Sequence, residues 1–201
     1  MGERSGWLAV VCGILVPSAV LVATLTPTVL DGDSANFARQ AHRFGLAHPP
    51  GYPLVAMIGK AVTTCVPFGD AGWRAHWVAA LGGAASLALA YALMRRWGAG
   101  QLPAVAGCWL LAFSPLFWSQ SIQINPYILG VAFALGLFLL LDLWAERRGL
   151  GLLGAAAGLY GFGMGGHPSL ALYLPAVLLF VAIHLWRDDA RRKAASVAVG
   201  L

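Results

Sequence analysis

Apolar runs separated by polar breaks organise this chain, and those near 7–26, 74–94, 102–119, 127–144, 150–166 and 169–186 approach the length that crosses a bilayer, roughly 20 residues as a helix. The break between the first two runs, residues 27–73, is much longer than the others. Inside it, Ser34 to Phe44 reads as a helix, and Pro53 to Phe68 is an apolar stretch interrupted by Lys60. The second stretch is too short for a crossing and reads as an interfacial or re-entrant helix. The pattern predicts an all-α, polytopic membrane helical bundle forming a single membrane domain over 1–201, with about six spans and an amphipathic or re-entrant outer loop. The first apolar run reads as a span, not a cleaved leader: Pro17 interrupts it, and no clear small-residue cleavage site precedes the polar loop.

Composition supports the membrane reading. The 201 residues are 59% hydrophobic and only 10% charged, with a mean hydropathy of +0.74, whereas soluble domains carry about 25% charged residues. The 25 glycines suit close helix packing in lipid. The net charge of +5 could suggest nucleic acid, but the basic residues sit in short clusters beside the apolar runs and read as topology signals, so no nucleic-acid partner is expected. Cys12, Cys65 and Cys108 are too widely spaced to indicate a zinc site or a disulfide framework.

Six spans place nine of the 13 basic residues on one side: Arg4, Arg95, Arg96, Arg147, Arg148, Arg187, Arg191, Arg192 and Lys193. Since cytoplasmic loops carry the excess of Lys and Arg, the amino terminus is expected in the cytoplasm. Arg39, Arg43, Lys60 and Arg74 remain in the outer loop, either as ion-pair partners of Asp31, Asp33 and Asp70, the commoner outcome, or as contacts for a ligand's phosphate. The same topology gathers other uncommon polar groups on the outer face. Gln120, Gln123, Asn125 and Tyr127 fall between the third and fourth spans, and His167 between the fifth and sixth.

The outer loop holds the densest chemistry. In His48-Pro49-Pro50-Gly51-Tyr52-Pro53, each proline fixes its own φ and extends the residue before it, and Gly51 permits a sharp turn. Such a turn either holds His48 and Tyr52 rigidly at the membrane surface or simply joins two helices. Asp31-Gly32-Asp33-Ser34 stands where the first span ends; Asp33 or Ser34 could cap the following helix. A D-x-D pair can also ligate a divalent metal, though the pattern alone is weak evidence and no metal site is assigned. A carboxylate placed among cations and imidazoles can act as a general base toward a hydroxyl. Gly165-Gly166-His167-Pro168 closes the fifth span and starts the sixth with Pro168 in its first turn.

Thr26-Pro27-Thr28, Asp33-Ser34-Ala35-Asn36-Phe37, Gly45 to Leu54, Phe113-Ser114-Pro115-Leu116-Phe117-Trp118 and Gly163-Met164-Gly165-Gly166-His167-Pro168 occur in an order that resembles the amino-terminal membrane region of the domain-of-unknown-function GT-C glycosyltransferases. That group includes the transmembrane protein O-mannosyltransferase acting on plexin receptors. The resemblance runs from about residue 20 to 185, and the H-P-P-G-Y-P-L block is its most specific part. It implies a site on the extracytoplasmic face and transfer of a sugar, with mannose expected, from a polyprenyl-phosphate donor to a protein Ser or Thr hydroxyl. Asp33 maps to the base, and Asp31, Asn36, Arg39, Arg43, His48, Tyr52, Asn125, Tyr127 and His167 are the candidate substrate-binding residues. No cofactor beyond the lipid-linked donor is implied, and a divalent metal is left open.

Two positions depart from the family pattern. Asn36 stands where the family usually has a glutamate in D-S-G-E, and Asn125 where it often has one in E-V-Y. Asparagine keeps the hydrogen bonding but takes up no proton, so only Asp31 and Asp33 remain for acid–base work there. The chain also ends at Ser196–Leu201, which reads as the start of a seventh span. A truncated product, a split half completed by a partner subunit, and a non-catalytic polyprenyl-phosphate binder are therefore alternatives to the enzyme. A small transporter is a further, weaker alternative, lacking paired broken helices or midplane charges.

Overall fold

The computed structural model describes residues 2–29 and 32–199. Its elements among these residues are all helical: α1 Gly2–Val10, a π-helical turn Val11–Leu15, α2 Val16–Ala23, α3 Asp33–Arg43, α4 Pro53–Cys65, α5 Ala71–Arg96, α6 Gln101–Ala112, α7 Pro115–Ser121, α8 Tyr127–Arg147, α9 Leu150–Met164, a 3-10 segment Pro168–Tyr173 and α10 Leu174–Val199. The all-α class agrees with the apolar periodicity.

Among the described residues, four helical stretches are long and apolar enough to cross a membrane: Gly6–Ala23, Ala71–Arg96, Tyr127–Arg147 and Pro168–Asp188. Counting α6 and α7 as one bent span makes five, so the expected count of about six is not confirmed. The run expected over 102–119 is broken by a bend of 70° between α6 and α7. Pro115 supplies the reason: it disfavours helical geometry at Ser114, whose ψ of 136° is extended. The run at 150–166 yields only the 15-residue α9, about 22 Å at 1.5 Å per residue against a hydrocarbon core of about 30 Å.

The first span carries its own irregularity. In the π register Val16 N–H donates to Val11 O, and the next carbonyl, Cys12 O, would await the N–H that Pro17 lacks. Trp109 on α6 fills the gap, its Nε1–H donating to Cys12 O at 2.7 Å.

The buried face of α5 packs against α2, α3, α4, α6, α7 and α8, which makes it the central post of the bundle. At its amino-terminal end Phe37, Ala38, Ala41, Val55, Ala75, Val78, Ile124 and Leu129 form one buried cluster beneath the loop that follows the first span. At its other end Arg96 pairs with Asp142 and with Glu146 (2.8 Å) on α8. Arg148, just past α8, pairs with Asp188 on α10 at 3.2 Å.

Helices α3 and α4 approach closely where Gly59 faces Ala41. A Cβ at position 59 would lie 2.6 Å from Ala41 Cβ and 3.2 Å from its Cα. Gly59→Ala is thus expected to destabilise the fold by about 1–3 kcal/mol through overpacking. The thermal unfolding midpoint in detergent reads this; an unchanged midpoint would mean that the α3–α4 contact yields without cost.

Candidate active site

Gly32, with φ +76°, turns the chain into α3, so the helix opens at Asp33 with a carboxylate in its first turn. A negative charge there complements the helix dipole. The cap expected from Asp33 or Ser34 does not form; no side-chain cap bond is made, and Ser34 is buried with its hydroxyl unpartnered among the described residues. Helical spacing aligns Asp33, Asn36, Phe37 and Gln40 along one side of α3. Gln40, 2% exposed, donates from Nε2 to Gly51 O at 2.7 Å and so fastens the proline-rich turn to the helix. Within that turn Gly51 N–H donates to His48 O at 2.9 Å, with Gly51 at φ +98°.

The turn holds His48 and Tyr52 in place, as one reading of the sequence expects. Phe37 is the floor: its ring centroid lies 5.4 Å from that of His48 and 5.1 Å from that of Tyr52, both edge-on, and the His48–Tyr52 separation is 5.5 Å. Asn36 Nδ2 bonds to His48 Nδ1 at 3.1 Å, and Arg39 donates to Asn36 Oδ1 at 3.2 Å. Asp33 Oδ1 stands 4.0 Å from His48 Nδ1, with 65% of the Asp33 side chain exposed. That exposure leaves the carboxylate open to a reacting group.

Two distant segments complete the group. Leu54 N–H at the start of α4 donates to Gly165 O after α9 at 3.0 Å, which brings His167 beside the turn. The His167 ring lies 6.1 Å from Tyr52 and 5.2 Å from Tyr127 at the start of α8. His167 caps the 3-10 segment, its Nδ1 accepting from Ser169 N–H at 3.1 Å. Burial lowers the His167 pKa, so the ring favours the neutral form. Burial, then Tyr127 and Asp33, raise the Tyr52 pKa above the ordinary phenol value and keep the hydroxyl protonated.

The His167 shift has a consequence for stability. The folded chain holds this ring neutral, while the unfolded chain protonates it near the ordinary value of about 6.5. The contribution is therefore present above pH about 6.5 and is lost on acidification below it. Unfolding midpoints at pH about 7.5 and about 5.5 are expected to fall less in His167→Gln than in the wild type. Equal falls would remove His167 as a source of acid lability.

Other expected site residues take different positions. Asn125, 5% exposed, donates from Nδ2 to Gln120 O and Gln123 O, both at 2.7 Å, and accepts at Oδ1 from Tyr127 N (2.9 Å) and Ile128 N (3.2 Å). Its amide caps α8 and shapes the approach to Tyr127, so the contribution of Asn125 to the site passes through the backbone. Arg39 and Arg43 line a cleft of about 260 Å³ with His42 and the start of α5. Lys60 donates to His42 O at the end of α3 (3.0 Å), and Arg74 to Thr63 O at the end of α4 (3.2 Å). Both cations thus serve helix C-termini, where positive charge is favoured, and the ion pairs expected for them with Asp33 or Asp70 are not formed. Asp70 caps α5 through Trp73 N–H at 2.8 Å. Asp31 lies outside the described residues.

One organising residue escaped the sequence reading. His76, fully buried on α5, donates from Nε2 to Thr28 O at 3.0 Å and accepts at Nδ1 from Ile124 N–H at 3.0 Å. It joins the end of the first span to the α7–α8 link, and Thr26 N–H reinforces that join by donating to Ile122 O at 3.0 Å. Its place in an apolar stretch beside Trp73 and Trp77 was the available signal.

A groove of about 520 Å³ runs along Leu111, Leu116, Phe117, Ile128 and Val131 and reaches Tyr127. Apolar wall and polar cluster therefore share one residue. Among the described residues, no three His, Cys, Asp or Glu side chains stand together as a metal-holding group.

Known proteins resemble this chain over most of its length. Protein O-mannosyl-transferase TMEM260 of Mus musculus is 26% identical over 194 residues, covering 93% of this chain and 27% of the mouse protein. The Dictyostelium discoideum protein O-mannosyl-transferase tmem260 is 26% identical over 138 residues, covering 67% of this chain and 17% of its own length. The chain thus spans less than a third of the length of these curated relatives. No solved structure matches it. Residues 33–190, from the base candidate on α3 to beyond His167, match the family described as protein O-mannosyl-transferase TMEM260 N-terminal domain, and the chain belongs to that family.

Proposed function

We propose that this chain carries the catalytic outer face of a protein O-mannosyltransferase, which takes a sugar from a polyprenyl-phosphate carrier and passes it to a Ser or Thr hydroxyl. The observation that carries the reading is the convergence of Asp33, His48, Tyr52, Tyr127 and His167 from four separate segments beside an apolar groove. In the step itself, Asp33 takes the proton of the acceptor hydroxyl as its oxygen attacks the anomeric carbon. The bond from that carbon to the phosphate oxygen breaks, and the polyprenyl phosphate leaves with the electron pair. Attack opposite the leaving group inverts the anomeric centre.

The groove suits an isoprenoid chain, because its wall is mostly apolar, with Ser114, Gln120 and Tyr127 as its polar members. Arg39 and Arg43 are the outer cations closest to the role of phosphate contacts, and His48 and His167, neutral or charged, can donate hydrogen bonds to phosphate oxygens. The same reading puts the site on the extracytoplasmic face and the amino terminus in the cytoplasm, following the Lys and Arg distribution. Protein in nanodiscs, given polyprenyl-phosphate-mannose and a Ser/Thr peptide, is expected to yield mannosylated peptide.

A second reading, a polyprenyl-phosphate-binding part that acts only with further chain, is favoured by Asn36 and Asn125. Both amides are engaged in hydrogen bonds where the resemblance expects glutamates. Donor binding without transfer, restored to transfer by the remaining segments of a longer relative, would select it.

A further inference from the structure

Asn36 does more than replace a carboxylate. The Arg39 guanidinium has only donors, so the Asn36 atom facing it at 3.2 Å is the carbonyl oxygen Oδ1. The amide nitrogen must then face His48, and an NH2 group can only donate to the ring nitrogen it meets at 3.1 Å. His48 Nδ1 is therefore the unprotonated acceptor, and the proton of the neutral ring sits on Nε2. A glutamate at position 36 would impose the reverse, since a carboxylate accepts and calls for a proton on Nδ1.

We infer that Arg39 and Asn36 are positioning residues that fix His48 in its neutral Nε2–H tautomer. His167 reaches the same state by another route, its Nδ1 accepting from Ser169 N–H. Two imidazoles linked through Tyr52 thus each offer one N–H donor at Nε2, the lone pair on Nδ1 being already engaged. Such a pair recognises acceptor oxygens, those of a phosphate or of a sugar hydroxyl, and leaves Asp33 as the group that takes a proton. The significance of this arrangement for transfer rests on the proposed function; the tautomer itself does not.

The groups facing His48 are Asp33 at 4.0 Å and Asn36 with Arg39 behind it from α3, Phe37 beneath, and Tyr52 from the turn. Asp33 is the competitor, because a proton on Nδ1 would turn toward its carboxylate. The test is nitrogen NMR of the full chain in nanodiscs with 15N-labelled histidine and asparagine, at pH about 8.5, where a ring of ordinary pKa of about 6.5 is neutral. Loss of one of the signals of the five histidines in His48→Gln assigns the resonance.

The wild type is expected to show an unprotonated Nδ1 with a scalar coupling to Asn36 Nδ2 across the hydrogen bond. Asn36→Asp is expected to move the proton to Nδ1, and Arg39→Ala, which frees the amide to rotate, to give a mixture of the two forms. A protonated Nδ1 in the wild type, or absence of the coupling, overturns the inference. An unchanged tautomer in Asn36→Asp overturns the role of Asn36, and one in Arg39→Ala overturns that of Arg39. No substrate enters these measurements, so failure of mannosyl transfer and failure of the tautomer assignment are read separately.

Discussion

Asp33→Asn is expected to lower the turnover of the proposed mannosyl transfer by about 10²- to 10⁴-fold, the range that a positioned general base contributes. The substitution keeps the size and polarity of the side chain and removes its capacity to take a proton. Because 65% of the side chain is exposed, the fold is expected to change by no more than about 0.5 kcal/mol, with a small further loss from the missing charge in the first turn of α3. The loss should therefore fall on kcat, with KM for the lipid donor changed only a few-fold. Steady-state kinetics with polyprenyl-phosphate-mannose, beside an unfolding curve for each protein, separates the two quantities. Wild-type turnover in the variant would remove Asp33 from the chemistry and transfer the question to Asp31.

The largest effect on stability is expected at His76. Replacement by Leu approximates the volume but strips both hydrogen bonds, leaving Thr28 O and Ile124 N–H without the partners that each meets at 3.0 Å. Orphaning a buried polar group costs about 1–3 kcal/mol, so the pair should cost about 2–6 kcal/mol. The effect should also travel to the site. Ile124 precedes Asn125, whose amide orients the start of α8 and with it Tyr127. His76→Leu is accordingly expected to lower the unfolding midpoint and also to increase hydrogen exchange at residues 122–128 beyond the increase elsewhere. A midpoint within error of the wild type would mean that water or a rearranged backbone satisfies both groups.

A considerable part of the architecture is legible from local pattern. The helical class follows from apolar run lengths, and the helix expected over Ser34 to Phe44 is found as α3, Asp33–Arg43. The short apolar stretch from Pro53 becomes the 13-residue α4. The proline-rich turn carries its own geometry, since prolines and a glycine restrict the backbone whatever surrounds them. Even the break between α6 and α7 is written locally in Ser114-Pro115, although the apolar run across it reads as continuous.

The candidate site divides along the same line. His48 and Tyr52 are neighbours in a rigid turn, so their association follows from the chain itself. That His167 joins them depends on the bond from Leu54 N–H to Gly165 O, more than a hundred residues apart in sequence. The cations of the long loop illustrate the opposite outcome. Charge counting marks Lys60 and Arg74 as exceptions that call for carboxylates or a ligand's phosphate, whereas the packed helices present carbonyl ends that those cations reach.

The amino-acid sequence alone determined the helical class, most of the helical segments and which polar residues stand between them, because run length, periodicity and proline geometry act over a few residues. Tertiary structure alone decided who bonds to whom. Asn125 became a cap, His76 a buried clasp and Asn36 the donor to His48, since a hydrogen bond requires two groups within about 3 Å and only packing brings distant ones that close.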